Sequence, residues 1–319
     1  MLFRSGVAAS HRRRVWRAIR GVDAAANDLA LLETLFGVLE QSAFTTERLS
    51  ALRRRLDGGD RPSALIARLR RAIAARDALR NEFVRPFGLL LFVRSLAAVA
   101  IDRWHQQHRA DLLAWIDAVG EIEALASLAT HAFEHPADAV PVLVDEGPVF
   151  AARGLAHPLL DEHGSVRNDV ALGGAGPRTL LVSGSNMSGK STLLRAVGAN
   201  TVLALAGGVV RCASLQVSPL AIGASIRVED SLQQGHSRFY TEILRIRDVV
   251  RLAEGPTPVL FLLDEILHGT NSHDRRIGAE AVVRALGAAG AIGLVTTHDL
   301  ALTALTSSIP GGARNVHFE

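Results

Sequence analysis

The chain has 319 residues, of which 48% are hydrophobic, 21% charged and 5% aromatic, with a net charge of +3. That composition excludes an intrinsically disordered chain, and the length is enough for one large domain or two ordinary ones. The single cysteine, Cys212, excludes an internal disulfide framework and a cysteine-based zinc site.

The net charge hides an asymmetry. Residues 1–110 hold 20 arginines against 10 acidic groups, whereas residues 111–319 hold 15 basic and 22 acidic groups. A basic first part points to a polyanion partner, with solvated helix faces as the alternative. Of the 35 basic residues 34 are arginine; the one lysine is Lys190.

In chain order, residues 10–56 predict helix, with Leu29, Leu32, Phe36 and Leu39 recurring at three- and four-residue spacing. The run Asp57 to Pro62 is a break. Ser63 is the expected N-cap of a second helix through about Arg85, interrupted by Pro86. A further helix carries Ala97, Ile101, Trp104, Leu112, Trp115 and Val119 to about Ala132. The apolar run from Phe87 to Ile101 contains Arg94 and falls short of the roughly 20 residues that span a bilayer, so no stable membrane insertion is expected. After Pro136 the texture becomes that of an α/β domain. Val140, Val142 and Val144 around Pro141 predict an edge strand. Strands are expected at Thr179–Val182, Val259–Leu263 and Ala291–Thr296, and helices at Ser191–Leu205, Tyr240–Ala253 and Arg276–Ala288.

Three segments carry chemistry. Gly184-Ser185-Asn186-Met187-Ser188-Gly189-Lys190-Ser191 matches G-x-x-x-x-G-K-[ST] between an expected strand and an expected helix opened by Ser191 and Thr192. In such a loop backbone N–H groups and the helix N-terminus surround phosphates, the lysine reaches the β- and γ-phosphates of ATP, and the serine hydroxyl joins an Mg²⁺ shell. The apolar strand Val259–Leu263 ends in Asp264-Glu265, 74 residues after Lys190. Asp264 is the expected metal partner, and Glu265 is placed to orient or deprotonate an attacking water. Thr296-Thr297-His298-Asp299 follows the next strand, where His298 can reach the γ-phosphate or the water.

These residues together resemble the MutS family of DNA mismatch-repair ATPases. Ser185-Asn186-Met187 is similar to the family's Gly-Pro-Asn-Met loop, with Ser185 in place of the proline. The segment from Asp264 through Ile266, Leu267, His268, Gly269, Thr270, Asn271, Ser272 and His273 to Asp274 resembles Asp-Glu-Ile-Gly-Arg-Gly-Thr-Ser-Thr-x-Asp. Thr297-His298 matches a Thr-His switch, and His157-Pro158 and Asn168-Asp169 match positions upstream of the loop. Gly235-His236-Ser237-Arg238-Phe239 looks like the family's counterpart of the ABC signature loop, and Asn315-Val316-His317 resembles its Asn-Val-His. The likeness covers roughly residues 110–319.

The resemblance implies an α/β P-loop NTPase fold of the ABC type, with a mixed, mainly parallel sheet flanked by helices, and a homodimer sharing two ATP sites head to tail with Mg²⁺. It implies that Ser237 touches the γ-phosphate held by the other subunit, that Asn271, Ser272 and Asp274 lie across the same interface, and that His317 lies near the adenine. The aromatic that the family usually places before Asn168 is replaced here by Ser165 and Val166. The chain has no Phe-x-Glu triplet of a mismatch wedge, and it stops before the family's last strands and dimerisation helices. The expectation is a MutS-related protein lacking the mismatch-recognition domain. It would have a helical lever- or connector-like arm over 1–135 and an ATPase domain over 136–319. Double-stranded or branched DNA is the expected partner, and the expected location is cytoplasmic, at the nucleoid when DNA-bound. An ATPase of a transporter or chromosome-organising complex is the alternative, as is a non-catalytic nucleotide-binding scaffold. The Gly-His-Ser-Arg-Phe loop argues against the first and the filled catalytic positions against the second.

Overall fold

The computed structural model describes residues 22–78, 93–161, 164–226, 238–267, 269–298, 306 and 309–319. The chain forms two compact units, Met1–Ser127 and Leu128–Glu319.

The described part of the first unit is helical: α1 Val22–Gln41, α2 Glu47–Arg54, α3 Pro62–Ala78 and α4 Val93–Glu134, whose last turns belong to the second unit. Its core is an apolar cluster of Leu29, Phe36, Leu52, Ile66, Trp104 and Trp115 with their neighbours. Phe36 meets Trp115 edge to face, with ring centroids 6.0 Å apart. The Trp104 indole N–H donates to the Leu65 carbonyl at 3.0 Å, so its burial leaves no polar atom stranded.

Two expectations are corrected here. The helix predicted across 10–56 is broken between Gln41 and Glu47, and its residues before 22 lie outside the described ones. Ser42 turns its hydroxyl back to the Val38 carbonyl at 2.8 Å, and the Arg53 guanidinium donates to the Glu40 carbonyl at 2.6 Å. The Val38 carbonyl also accepts the Ser42 N–H at 3.1 Å, and the Arg53 contact gives the Glu40 carbonyl, in the last turn of α1, a partner that continuing the helix would otherwise provide. Ser63 is not the cap of α3. Pro62 opens that helix, where its missing N–H loses nothing, and the Ser63 N–H and hydroxyl both donate to the Glu40 carboxylate at 2.8 and 2.6 Å. A local capping signal was overridden by a partner 23 residues away.

The second unit is α/β. Its elements are β1 Val142–Leu143, β2 Val149–Leu155, β3 Asn168–Gly173, β4 Thr179–Gly184, α5 Lys190–Ala206, β5 Ser214–Val217 and β6 Ala221–Ser225. There follow α6 Arg238–Ala253, β7 Val259–Leu263, α7 Ser272–Ala288, β8 Ile292–Thr297 and β9 Ala313–Phe318. Five strands form a parallel sheet in the order β6-β7-β8-β4-β9. Among the described residues, the mixed, mainly parallel sheet expected of the family is divided into two sheets. A four-stranded sheet, β1-β5-β2-β3, pairs β2 antiparallel with both β3 and β5. The expected edge strand near Val142 is the two-residue β1 at its border.

The parallel strands are apolar on both faces because both are covered. Leu180, Val182, Leu260, Leu262 and Leu294 pack with α5 and the antiparallel sheet, whereas Leu181, Phe261, Leu263 and Val295 pack with α6 and α7. Asn200 on α5, fully buried, joins the layers. Its amide donates to the Ala156 and Ala196 carbonyls at 2.9 and 2.8 Å, and its carbonyl accepts from the Arg211 N–H at 2.7 Å. Asn200→Ala strands the Arg211 N–H and the Ala156 carbonyl in the core. It is expected to destabilise the fold by about 2–4 kcal/mol, read as a lowered urea midpoint at unchanged slope.

Among the described residues no helix is long and apolar enough to cross a membrane. The apolar run starting at Phe87 lies partly outside them.

Candidate functional site

The carboxyl ends of β4, β7 and β8 lie side by side, because β8 sits between the other two. In an open parallel sheet this edge is where loops converge on a ligand.

β4 delivers Gly184, and the turn Ser185-Asn186-Met187-Ser188-Gly189 leads into α5. Gly184 is glycine for want of space: a Cβ there would lie 2.3 Å from the Phe318 carbonyl oxygen. Met187 and Gly189 take left-handed backbone, at φ 65° and 95°. Ser185, Asn186 and Met187 face solvent, while the Ser188 hydroxyl is buried without a hydrogen-bond partner. Lys190 is 5% exposed, and its ammonium donates to the carbonyls of Gly184 and Ser185 at 2.9 and 2.6 Å. Ser191 and Thr192 occupy the first turn of α5.

β7 delivers Asp264 and Glu265. The Ser191 hydroxyl donates to Asp264 Oδ1 at 3.0 Å, joining the glycine loop to the strand end. Thr296, on β8, donates its hydroxyl to the same oxygen at 2.6 Å and accepts the Glu265 N–H at 2.9 Å. Thr296 was part of a motif in the sequence without a role of its own; a threonine closing an apolar strand was the available signal. His298 bridges the two strand ends. Its Nδ1 lies 3.2 Å from the Gly184 carbonyl oxygen and its Nε2 contacts the Glu265 carboxylate. Both partners are acceptors, so the ring satisfies both only with a proton on each nitrogen.

His317, on β9, pairs in register with Ser183 and hydrogen-bonds its hydroxyl through Nδ1 at 3.0 Å. Asn271 caps α7: its side-chain oxygen accepts from the Asp274 N–H at 2.9 Å, and its amide donates to the Asp274 carboxylate at 2.7 Å. Ser272 opens the same helix. Ser237 lies outside the described residues, as do Gly235, His236, His268 and Asp299. Asp169, singled out upstream, accepts the Gly154 N–H at 2.7 Å where the β2–β3 register shifts.

Two groups elsewhere in this unit carry shifted pKa values. Burial, then the Arg195 charge, lowers that of His157. Burial first, and Asp138 second, push the Cys212 thiol up to about 11, so it holds no reactive thiolate near neutral pH.

The family model described as MutS domain V matches residues 180–319, from the second residue of β4 to the end of the chain. The chain belongs to the MutS family. It is 34% identical over 212 residues to a DNA mismatch repair protein MutS of Haloquadratum walsbyi, covering 65% of this chain and 22% of that protein. A DNA mismatch repair protein MutS 2 of Halobacterium salinarum is 33% identical over 236 residues, 73% of this chain and 26% of its own. An Endonuclease MutS2 of Thermomicrobium roseum is 37% identical over 162 residues, 50% of this chain and 20% of its own. This MutS-family chain thus spans about a quarter or less of the length of these relatives.

Proposed function

We propose that the α/β unit of this MutS-family chain binds ATP with Mg²⁺ at the edge formed by β4, β7 and β8, and hydrolyses it. The observation that carries the reading is the Ser191–Asp264 hydrogen bond at 3.0 Å, which joins a G-x-x-x-x-G-K-S loop to a strand-end carboxylate. The donor set fits the metal and the phosphates. A hydroxyl and a carboxylate oxygen are hard ligands suited to Mg²⁺, and the buried, unpartnered Ser188 hydroxyl is a donor in want of an acceptor within the phosphate loop. When bound, Mg²⁺ neutralises phosphate charge. Lys190 adds a positive charge held by two carbonyls of its own loop, Glu265 accepts a proton from water, and His298 keeps the Glu265 carboxylate beside the Gly184 end of the loop.

The chain works on DNA, in mismatch repair or recombination-related processing. The names of its relatives support this, as does the basic character of residues 1–110, an arm of the lever or connector kind. Not every arginine there is free for phosphates: Arg70 pairs with Glu33 at 2.8 Å, Arg68 with Asp60 at 3.0 Å, and Arg48 with Glu121. Two chains share two ATP sites, with Ser237, Asn271, Ser272 and Asp274 at the shared boundary and His317 beside the base. Such a protein acts in the cytoplasm.

The test is phosphate release from Mg-ATP, with and without EDTA, beside binding of plain, mismatched and branched duplexes. EDTA is expected to abolish turnover. DNA affinity is expected to fall more than about tenfold between about 50 and about 200 mM salt, because arginine–phosphate contacts release counterions. Turnover insensitive to EDTA sinks the metal assignment, and salt-independent DNA binding sinks the phosphate contacts.

A further inference from the structure

The turn after β7 holds two non-glycine residues in left-handed backbone, Glu265 at φ 47° and Leu267 at φ 61°. For a bulky aliphatic residue this region is unfavourable, and it persists only where the surroundings over-determine it. The surroundings of Leu267 do so. Its N–H donates to the Glu242 carboxylate, which projects from the second turn of α6 and is 7% exposed. Its carbonyl accepts from Arg275 Nε, on α7, at 3.3 Å, and the same guanidinium donates to the Thr270 carbonyl at 3.1 Å. The Leu267 side chain is 5% exposed and rests on Gly278, where a Cβ would come within 2.5 Å of it.

We propose that Glu242 and Arg275 are positioning residues that clamp both backbone polar groups of Leu267, and so fix the 265–267 turn that aims the Glu265 carboxylate. The helix that carries Glu242 is a fixed reference, because Ile246 and Val249 anchor it in the core beneath β7. The Leu267 N–H meets a carboxyl oxygen and its carbonyl a guanidinium N–H, so neither backbone group of this buried residue is left without a partner. The bonds given above end on Leu267 and Thr270, outside the phosphate loop, so the clamp is expected to act on geometry at Glu265 rather than on nucleotide affinity. Its effect on turnover rests on the ATPase reading; the clamp itself does not.

The experiment compares Glu242→Ala, Glu242→Gln and Arg275→Ala by three readouts. These are steady-state ATP turnover, affinity for a fluorescent ATP analogue, and amide hydrogen exchange of peptides covering 264–271. Glu242→Ala is expected to lower kcat by about 30- to 100-fold, the scale of a 1 Å misplacement, while analogue affinity changes less than about threefold. Its exchange in 264–271 is expected to rise at least about tenfold, as a locally opened segment does. The glutamine variant keeps an oxygen for the Leu267 N–H and is expected to stay within about threefold of the parent in turnover. Should Glu242→Ala not fold, Arg275→Ala reads the other half of the clamp, with the same kcat-only loss and faster exchange. Unchanged exchange in 264–271 overturns the proposal, as does a glutamine variant as impaired as the alanine one, or a joint loss of affinity and kcat. If the parent chain turns over no ATP, the ATPase reading falls, and the exchange comparison still decides for or against the clamp.

Discussion

Glu265→Gln is expected to bind Mg-ATP within about threefold of the parent and to turn it over roughly 10²- to 10⁴-fold more slowly, the span of general-base removal. The backbone of Glu265 is held independently of its carboxylate: the N–H bonds Thr296 Oγ1 at 2.9 Å and the φ of 47° is set by the turn. The amide is nearly isosteric, so it removes the proton acceptor without moving the loop. The Lys190, Ser191 and Asp264 contacts belong to other side chains and persist, which is why affinity is spared. Single-turnover phosphate release beside equilibrium binding of a fluorescent ATP analogue separates the two effects. Turnover like the parent's removes Glu265 from the water's proton path and moves the search to His298.

Lys190→Arg is expected to weaken Mg-ATP binding by at least about 30-fold, which corresponds to about 2 kcal/mol, the scale of a hydrogen bond to a charged group. The lysine is 5% exposed, and its ammonium sits between two carbonyl oxygens at 2.9 and 2.6 Å. A compact three-donor point charge fits that space; a planar five-donor guanidinium does not, and has to leave the loop or distort it. The readout is the thermal stabilisation of the protein by Mg-ATP, which the variant is expected to lose, while melting without nucleotide stays near the parent value. An arginine variant with full stabilisation would make the single lysine among 34 arginines a coincidence of composition.

Legibility differed along the chain for physical reasons. β7 was read to the residue, Val259–Leu263, because a strand covered on both faces is continuously apolar and needs no alternation to be seen. α7 begins at Ser272, a turn earlier than Arg276. Its cap, an Asn271 side chain reaching the Asp274 N–H, lies within a polar segment without apolar period. Strands β2 and β3 are not legible in the sequence, because both carry glycine and their pairing shifts register between Ala152 and Leu155, which no local pattern encodes. Ser63 shows the same limit from the other side: a correct local preference lost to the Glu40 carboxylate across a tertiary contact.

The sequence by itself determined the class of the second unit and the chemistry open to it. The glycine loop with its lysine, the acidic strand end and the Thr-His pair are local strings whose function depends on residue type and short spacing. Only the tertiary structure decided which of them meet. The strand order β7-β8-β4 brings Asp264 to Ser191 and His298 to both Gly184 and Glu265. It also recruited Thr296 and Glu242, which hold backbone N–H groups 31 and 25 residues away, and Arg275, which holds carbonyls of the turn before its own helix. Hydrogen bonds of that kind carry no sequence periodicity. They exist only once packing has placed a donor and an acceptor at the same point in space.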